Sequence, residues 1–281
     1  MLDDVLGWLR CPHCHERLDR AEGSLRCAAG HSFDIARQGY VSLLPAGASG
    51  GGGDTAAMVR ARGEFLATGH FAPVAAILAE EAAAAAAAAG PNCIVDVGAG
   101  TGYCLAAVLD RMPRAAGLAL DVSRHALRQA ARAHPRIGAV GCDAWRPLPV
   151  ADHVADVVLN VFAPRGGAEL RRILRPGGRL LVITPAAEHL AELISPLGLL
   201  SVDERKRERL EDNLSPHFSL DGESEHRGVM TLTHDDVAAL AWMGPTAWHA
   251  DQDAMTDRIA RLSDPVAVTR AVTLTVLRPR P

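Results

Sequence analysis

The sequence predicts an α/β protein, an open sheet with helices on its faces and a small metal-binding module ahead of it, and two stretches carry that prediction. From Cys93 to Tyr103, CIVDVGAGTGY sets the strand residues Ile94, Val95 and Val97 before glycines at 98, 100 and 102, and LAAVLDRM then follows with helical spacing. Strand, tight turn and helix N-terminus form the ligand cradle of an open α/β sheet, because backbone amides can approach whatever is bound there. Near the start, Cys11, Cys14, Cys27 and His31 stand as C-x2-C, twelve residues, then C-x3-H.

The glycine spacing decides the ligand class. A dinucleotide fingerprint requires G-x-G-x-x-G, whereas here the glycines run G-x-G-x-G, with Asp96 two residues ahead of the first. A carboxylate at that point repels a pyrophosphate and suits a cation, which disfavours a nicotinamide enzyme. The string V-D-V-G-x-G-x-G resembles motif I of the class I (Rossmann-like) methyltransferases, which hold S-adenosylmethionine (SAM). On that reading Asp96, Gly98, Gly100, Thr101 and Gly102 line the donor site. Asp121, ending the strand GLALD about 20 residues beyond the glycines, can accept both ribose hydroxyls.

Composition sets the outer bounds. A chain of 281 residues, 48% of them hydrophobic, accommodates one large domain and a small one. A formal net charge of -4 and a pI near 6.3 weaken a nucleic-acid reading without excluding it, since a local basic face can act on an acidic protein. Lys206 is the only lysine, so the positive charge is arginine, a residue suited to phosphate. MLDDVLGWLRC is acidic where a signal peptide is basic, and no apolar run is long enough to span a bilayer. These features predict a cytoplasmic protein with no membrane partner, in which cysteines serve as metal ligands or buried thiols.

The four metal candidates form two close pairs that a short hairpin can bring together on one zinc, with Gly30 supplying the turn before His31. Four protein ligands leave no open position, so the zinc is read as structural. His13 and His15 are read as exposed or RNA-facing. Arg10, Arg17, Arg20 and Arg26 are interleaved with acids, so phosphate contact and a solvated surface stand as equal readings. GYVSLLP closes the module as a strand-like tail, and AGASGGGG at 46–53 reads as a linker. The predicted organisation is a zinc-binding, RNA-recognising module over 1–45, a linker and helices over 46–92, and the methyltransferase domain over 93–281. Within the middle part, Asp54 or Thr55 caps a helix with Met58, Ala61 and Phe65 on one face, ending at Gly69, and Pro73 opens a second helix through the alanine run at 82–89.

The zinc pattern, GYVSLLP, the M-V-x-A-R-x-x-F-L-x-x-G-H-F-x-P stretch from Met58 to Pro73 and VDVGAGTG together resemble the RlmA family of 23S ribosomal RNA guanine-N1 methyltransferases, over nearly the whole chain. LNVFAPRGGAELRRILRPGG at 159–178, LAELISPLGLL at 190–200 and MGPTAWH at 243–249 are most similar to the tylosin-resistance branch of that family. The resemblance implies methyl transfer from SAM to a guanine N1 in a 23S rRNA hairpin, macrolide resistance as its consequence, and a homodimer. It also implies that His189 and the aromatic at Phe71 touch the donor; Phe stands here where relatives carry Tyr, which keeps stacking and loses a hydroxyl.

Later strands supply the rest. Asp143, after a third strand over 137–142, occupies the class I position that meets the adenine amino group, with a turn-capping aspartate as the alternative. A fourth strand, 154–161, ends at the pocket candidates Asn160 and Phe162, which can read a base edge and stack on a base, while a buried strand-end Phe is an equal reading. No catalytic base stands out. Arg165, Arg171, Arg172 and Arg175 are candidate phosphate contacts, weighed evenly against helix surface. RPGG gives a turn before a fifth strand at 180–184, RKRER at 205–209 reads as helix, and the alternating tail over 266–277 pairs with a strand near 229–232 as an antiparallel edge hairpin. Two rival functions remain at this level: a small-molecule methyltransferase, and a zinc-dependent RNA-binding protein retaining a SAM pocket.

Overall fold

The computed structural model describes residues 2–45, 53–86, 92–164, 166–199, 212–244 and 251–280. Most of the linker, the end of the alanine run, Arg165, RKRER and most of MGPTAWH therefore lie outside the described residues.

The amino-terminal module is built on a hairpin. Strands β1 (Leu18–Ala21) and β2 (Ser24–Cys27) pair antiparallel, with Gly23 at φ +67° in the turn, and β3 (Ser32–Asp34) adds to β2. The tail expected to close this module bridges back to it, Val41 facing Ile35, and also goes further. β4 (Val41–Ser42) pairs parallel with β7 (Ile137–Gly141) and becomes an edge of the large sheet.

Among the described residues that sheet has eight strands in the order β10-β11-β9-β8-β5-β6-β7-β4. The central strands β5 (Cys93–Val97), β6 (Ala116–Asp121), β7 and β8 (Ala155–Val161) are parallel and almost wholly buried, which is why their sequences are continuous apolar runs. Next come β9 (Leu174–Pro185), β10 (Phe218–Leu232) and β11 (Val266–Pro279), with β11 antiparallel to both its neighbours. The expected edge hairpin is present and far longer than four residues. Strand β10 begins at Phe218, well before the expected 229, and carries charged residues because an outermost strand is wet on one face and one edge. RPGG is a bulge inside β9: Ala155 faces Leu174 while Val157 already faces Arg179.

The two helices predicted in the middle part form: Thr55, one of the two candidates, caps the first, and the second ends at Ala85, inside the alanine run. Thr55 accepts from the Met58 amide at the start of α2 (Ala56–Ala67), which ends two residues before Gly69; Pro73 sits in the first turn of α3 (Ala72–Ala85). Ser123 caps α5 (Arg124–Ala133), whose Arg124, Arg128 and Arg132 face solvent as a helix surface would. Helix α4 (Tyr103–Arg111) follows the glycine turn, and α6 (Gly167–Ile173) precedes β9. Helices α7 (Ala191–Leu197), α8 (His234–Trp242) and α9 (Gln252–Ile259) pack around the far end of β11 in a separate apolar cluster with Phe65 and Phe71.

The small module and the sheet share one core. Leu9, Leu18, Leu25 and Phe33 lie in the same buried cluster as Leu118, Leu120, Val140 and Val150. Helix α1 (Leu2–Val5) presses so closely on β7 that a Cβ at Gly138 would lie 2.3 Å from Val5 Cγ2. Backbone bonds from Arg10 to Pro149, Ala151 to Trp8 and Leu43 to Gly141 complete the seam.

Candidate donor cleft and metal centre

The metal candidates converge. Cys11 Sγ lies 3.5 Å from His31 Nδ1, Cys27 Sγ 3.3 Å from the same atom, and Cys14 Sγ 3.6 Å from Cys27 Sγ. All four ligand atoms fall within 4.8 Å of one another. Zinc–sulfur bonds of about 2.3 Å imply tetrahedral edges of roughly 3.7 Å, so the donor set fits zinc in type and size, with Nδ1 as the histidine ligand. Gly30 at φ +87° donates to the Cys27 carbonyl, forming the turn that brings His31 back. His13 and His15 are exposed, and His13 lies over His31 and Phe33.

Each glycine of the turn after β5 has its own constraint. Gly98 (φ +80°) lies where a Cβ would approach Ala163 Cβ to 2.4 Å, and Gly100 (φ +55°) donates its amide to Asp121 Oδ2 at 2.8 Å. Gly102 (φ +79°) caps α4 and packs against Ala130 and Ala133 of α5. The second oxygen of Asp121 accepts from the Ser123 amide at 2.8 Å. Each oxygen keeps further lone-pair capacity. Burial pushes the Asp121 carboxyl up, and the two amides oppose that shift.

The turn floors a cleft with about 610 Å³ of free space counting its open mouth. Of the residues read from the sequence, Phe71, Asp96, Gly98, Gly100, Thr101 and Phe162 line it. Asp121 joins through Gly100, and His189 through its rings: Phe162 and His189 stack at 5.9 Å, with Phe71 at 6.4 and 6.1 Å from them. Phe162 is 42% exposed and adopts φ +51°, a left-handed conformation costly for an aromatic residue and of the kind found at functional sites. Asn160 is fully buried, its Nδ2 donating to the Val97 and Pro164 carbonyls while Oδ1 has no partner. Asp143 Oδ1 accepts from the Trp145 amide in a local turn, and Oδ2 lies 3.6 Å from Arg146.

Sequence reasoning missed Arg62, which lines the cleft beside Gly100. It falls four residues after Met58, on the buried face of α2, and a charge at that spacing was the available signal. Conversely, the arginine group after β8 is largely spent internally. Arg172 pairs with Glu169 and Asp152 and donates to the carbonyls of Leu148 and Val150. Arg175 pairs with Asp156, and Arg171 reaches the Arg280 carbonyl.

Electrostatics identify the wall that a cation would occupy. Asp96 is 1% exposed, its Oδ1 has no partner, and burial, with the charge of Asp121 adding to it, pushes its carboxyl up to about 8. An unpaired acid held this way costs stability, on the order of 1–3 kcal/mol, until a ligand donates to it. His189 is shifted the other way, down to about 4, chiefly by burial, while Nδ1 accepts from the Ala271 amide. The ring is therefore neutral with its proton on Nε2. Stability should fall as pH drops from about 6.5 toward 4, because the unfolded imidazole gains a proton that the folded one resists, at a total of roughly 3 kcal/mol. Unfolding free energies from denaturant titrations at pH 7 and 4 for wild type and His189→Phe should show the variant losing less by about that amount; equal losses would mean that the folded ring ionises freely.

Sheet order, glycine turn and cleft define a class I SAM-dependent methyltransferase carrying a structural zinc. Comparisons agree by segment: residues 9–48 match the family described as RlmA, N-terminal, a zinc ribbon, and residues 94–178 match a methyltransferase domain family. A provisionally named 23S rRNA (guanine-N1)-methyltransferase of Micromonospora griseorubida is 54% identical, covering 99% of this chain and 100% of that one. The 23S rRNA (guanine(748)-N1)-methyltransferase of Streptomyces fradiae is 49% identical over the full length of both. A provisionally named Bacillus subtilis homologue is 31% identical over 88% of this chain and 89% of its own. The chain belongs to the RlmA-type 23S rRNA (guanine-N1)-methyltransferase family. No helix among the described residues is long and apolar enough to cross a membrane.

Proposed function

We propose that the protein methylates N1 of a guanine in a 23S rRNA hairpin, acting in the cytoplasm as a homodimer, with tylosin-type macrolide resistance as the consequence. The observation that carries this reading is the identity of 54% and 49% along whole chains, ribbon included, to proteins named for that reaction. A small-molecule enzyme would have no use for a zinc ribbon sharing its core with the catalytic sheet.

Bound SAM supplies an electrophilic methyl carbon on a sulfonium, so that a new N1–C bond replaces the C–S bond and S-adenosylhomocysteine is released with the N1 proton. The chain's own groups hold the partners in line, which supplies much of the acceleration. Asp121 accepts from the ribose hydroxyls, with Asp143 one strand further along at the adenine. Asp96 faces the cationic end. Phe162 offers a half-exposed ring at the mouth for a guanine turned out of its helix, and RNA loops make that displacement less costly. Phe71 and His189 back that ring. His189 does not take the N1 proton, since Nδ1 is committed to an amide and Nε2 already carries hydrogen.

The test is transfer of labelled methyl from SAM into a 23S rRNA transcript containing the guanine specified in the name of the Streptomyces fradiae relative, with small-molecule extracts in parallel. Label is expected at a guanine N1. Phe162→Ala should lower kcat/KM for RNA by roughly 10-fold or more, as expected for one lost stacked base, and should weaken SAM binding by a smaller factor. Label in a small molecule alone would overturn the proposal.

A further inference from the structure

Among the described residues, two that line the cleft carry a buried polar atom without a partner: Asp96, at Oδ1, and Arg62, at Nε. One is an acceptor suited to a cation and the other a donor suited to an anion. Both stand beside the same glycine turn: a Cβ on Gly100 would lie 3.8 Å from Arg62 Cδ and 3.9 Å from Nη1. The donor of this reaction ends in an amino acid, whose ammonium and carboxylate leave the same carbon. We infer that Arg62 is the carboxylate anchor of the methyl donor, its unpartnered N–H groups receiving the anion while Asp96 faces the ammonium.

The rest of the guanidinium is fixed for that role. Nη2 donates to Asp54 Oδ2 at 2.6 Å and to the Met243 carbonyl at 2.9 Å, which leaves Nε and Nη1 without a protein partner among the described residues, Nη1 on the side of Gly100. Asp54 in turn accepts, through its carbonyl, the Ser123 hydroxyl at 2.6 Å, and the Ser123 amide donates to Asp121. A continuous set of hydrogen bonds therefore runs from the proposed ribose acid to the proposed carboxylate anchor, setting the two ends of one ligand at a fixed separation. The Asp54 pair holds Arg62 through Nη2 alone and leaves the N–H groups of Nε and Nη1 unspent. Arginine suits the task better than lysine because it can serve Asp54, a carbonyl and a carboxylate with different N–H groups at once.

The inference rests on the donor reading above, and ligand-side and protein-side changes separate the two. Calorimetry on the full zinc-loaded chain would compare S-adenosylhomocysteine with its descarboxy analogue, which lacks only the carboxylate. Wild type should prefer the intact ligand by on the order of 10- to 100-fold, the range for a charge-assisted hydrogen bond. Arg62→Met should erase that preference while binding the descarboxy analogue as wild type does, and Arg62→Lys should restore part of it. Equal weakening of both ligands by Arg62→Met would show a purely structural role for Arg62 and overturn the inference, as would a wild type indifferent to the carboxylate. If Arg62→Met fails to fold, the wild-type preference and Arg62→Lys decide. Failure of wild type to bind S-adenosylhomocysteine at all would sink the donor reading instead.

Discussion

Replacing Cys14 with alanine is expected to remove one zinc per chain and to unfold more than the ribbon. Zinc binding by Cys and His clusters is worth about 10–16 kcal/mol in small modules, comparable to the whole stability of a typical domain at about 5–15 kcal/mol. The ribbon has no independent core with which to absorb that loss: Leu9, Leu18 and Leu25 are buried against Leu118, Val140 and Val150. Losing the metal should therefore release β4 from β7 and expose Gly138 and its neighbours. Metal analysis and hydrogen exchange would read the two effects, with faster exchange at residues 137–150 as well as 9–43. Unchanged zinc content would refute the ligand set, and exchange confined to the ribbon would refute the coupling.

Gly98→Ala is expected to abolish SAM binding while leaving the sheet formed. The added carbon would sit 2.4 Å from Ala163 Cβ at a residue held at φ +80°. Backbone strain at about 1–2 kcal/mol and overpacking at about 1–3 kcal/mol combine there. Relief must come from moving either the turn that reaches Asp121 or the loop carrying Phe162, and both border the cleft. Titration with S-adenosylhomocysteine should show at least a 100-fold weaker Kd, alongside a melting temperature lowered by a few degrees. Binding at wild-type strength would mean that the glycine turn is not part of the donor site.

What was legible in the chain was whatever is encoded locally. The strand, glycine turn and helix from Cys93 to Arg111 can be read from alternation and spacing, because each requirement is met by neighbours in sequence. The zinc ligands could be read for the same reason, and so could a cap at Asp54 or Thr55. The placement of Val41 and Ser42 could not, since a two-residue strand pairs with a partner a hundred residues away and leaves no periodicity of its own. Arg172 stood evenly between phosphate contact and helix surface because a free surface arginine and one spent on Glu169 and Asp152 have the same letter and the same helical setting. Arg62 failed in the opposite sense: its value lies in one unpaired nitrogen, a property of packing. RPGG announced a turn correctly, but local chemistry does not say whether a turn ends a strand or bulges from it.

The seam between ribbon and sheet has a consequence for recognition. Because β4 is a strand of the catalytic sheet and α1 is packed on β7, the span from the zinc knuckle to the cleft is a fixed dimension of the molecule. The two ends act like the jaws of a set caliper. If the proposed RNA engages both, it must present its reactive base and its second point of contact at that one spacing, and loop length would then select substrates before any base edge is inspected.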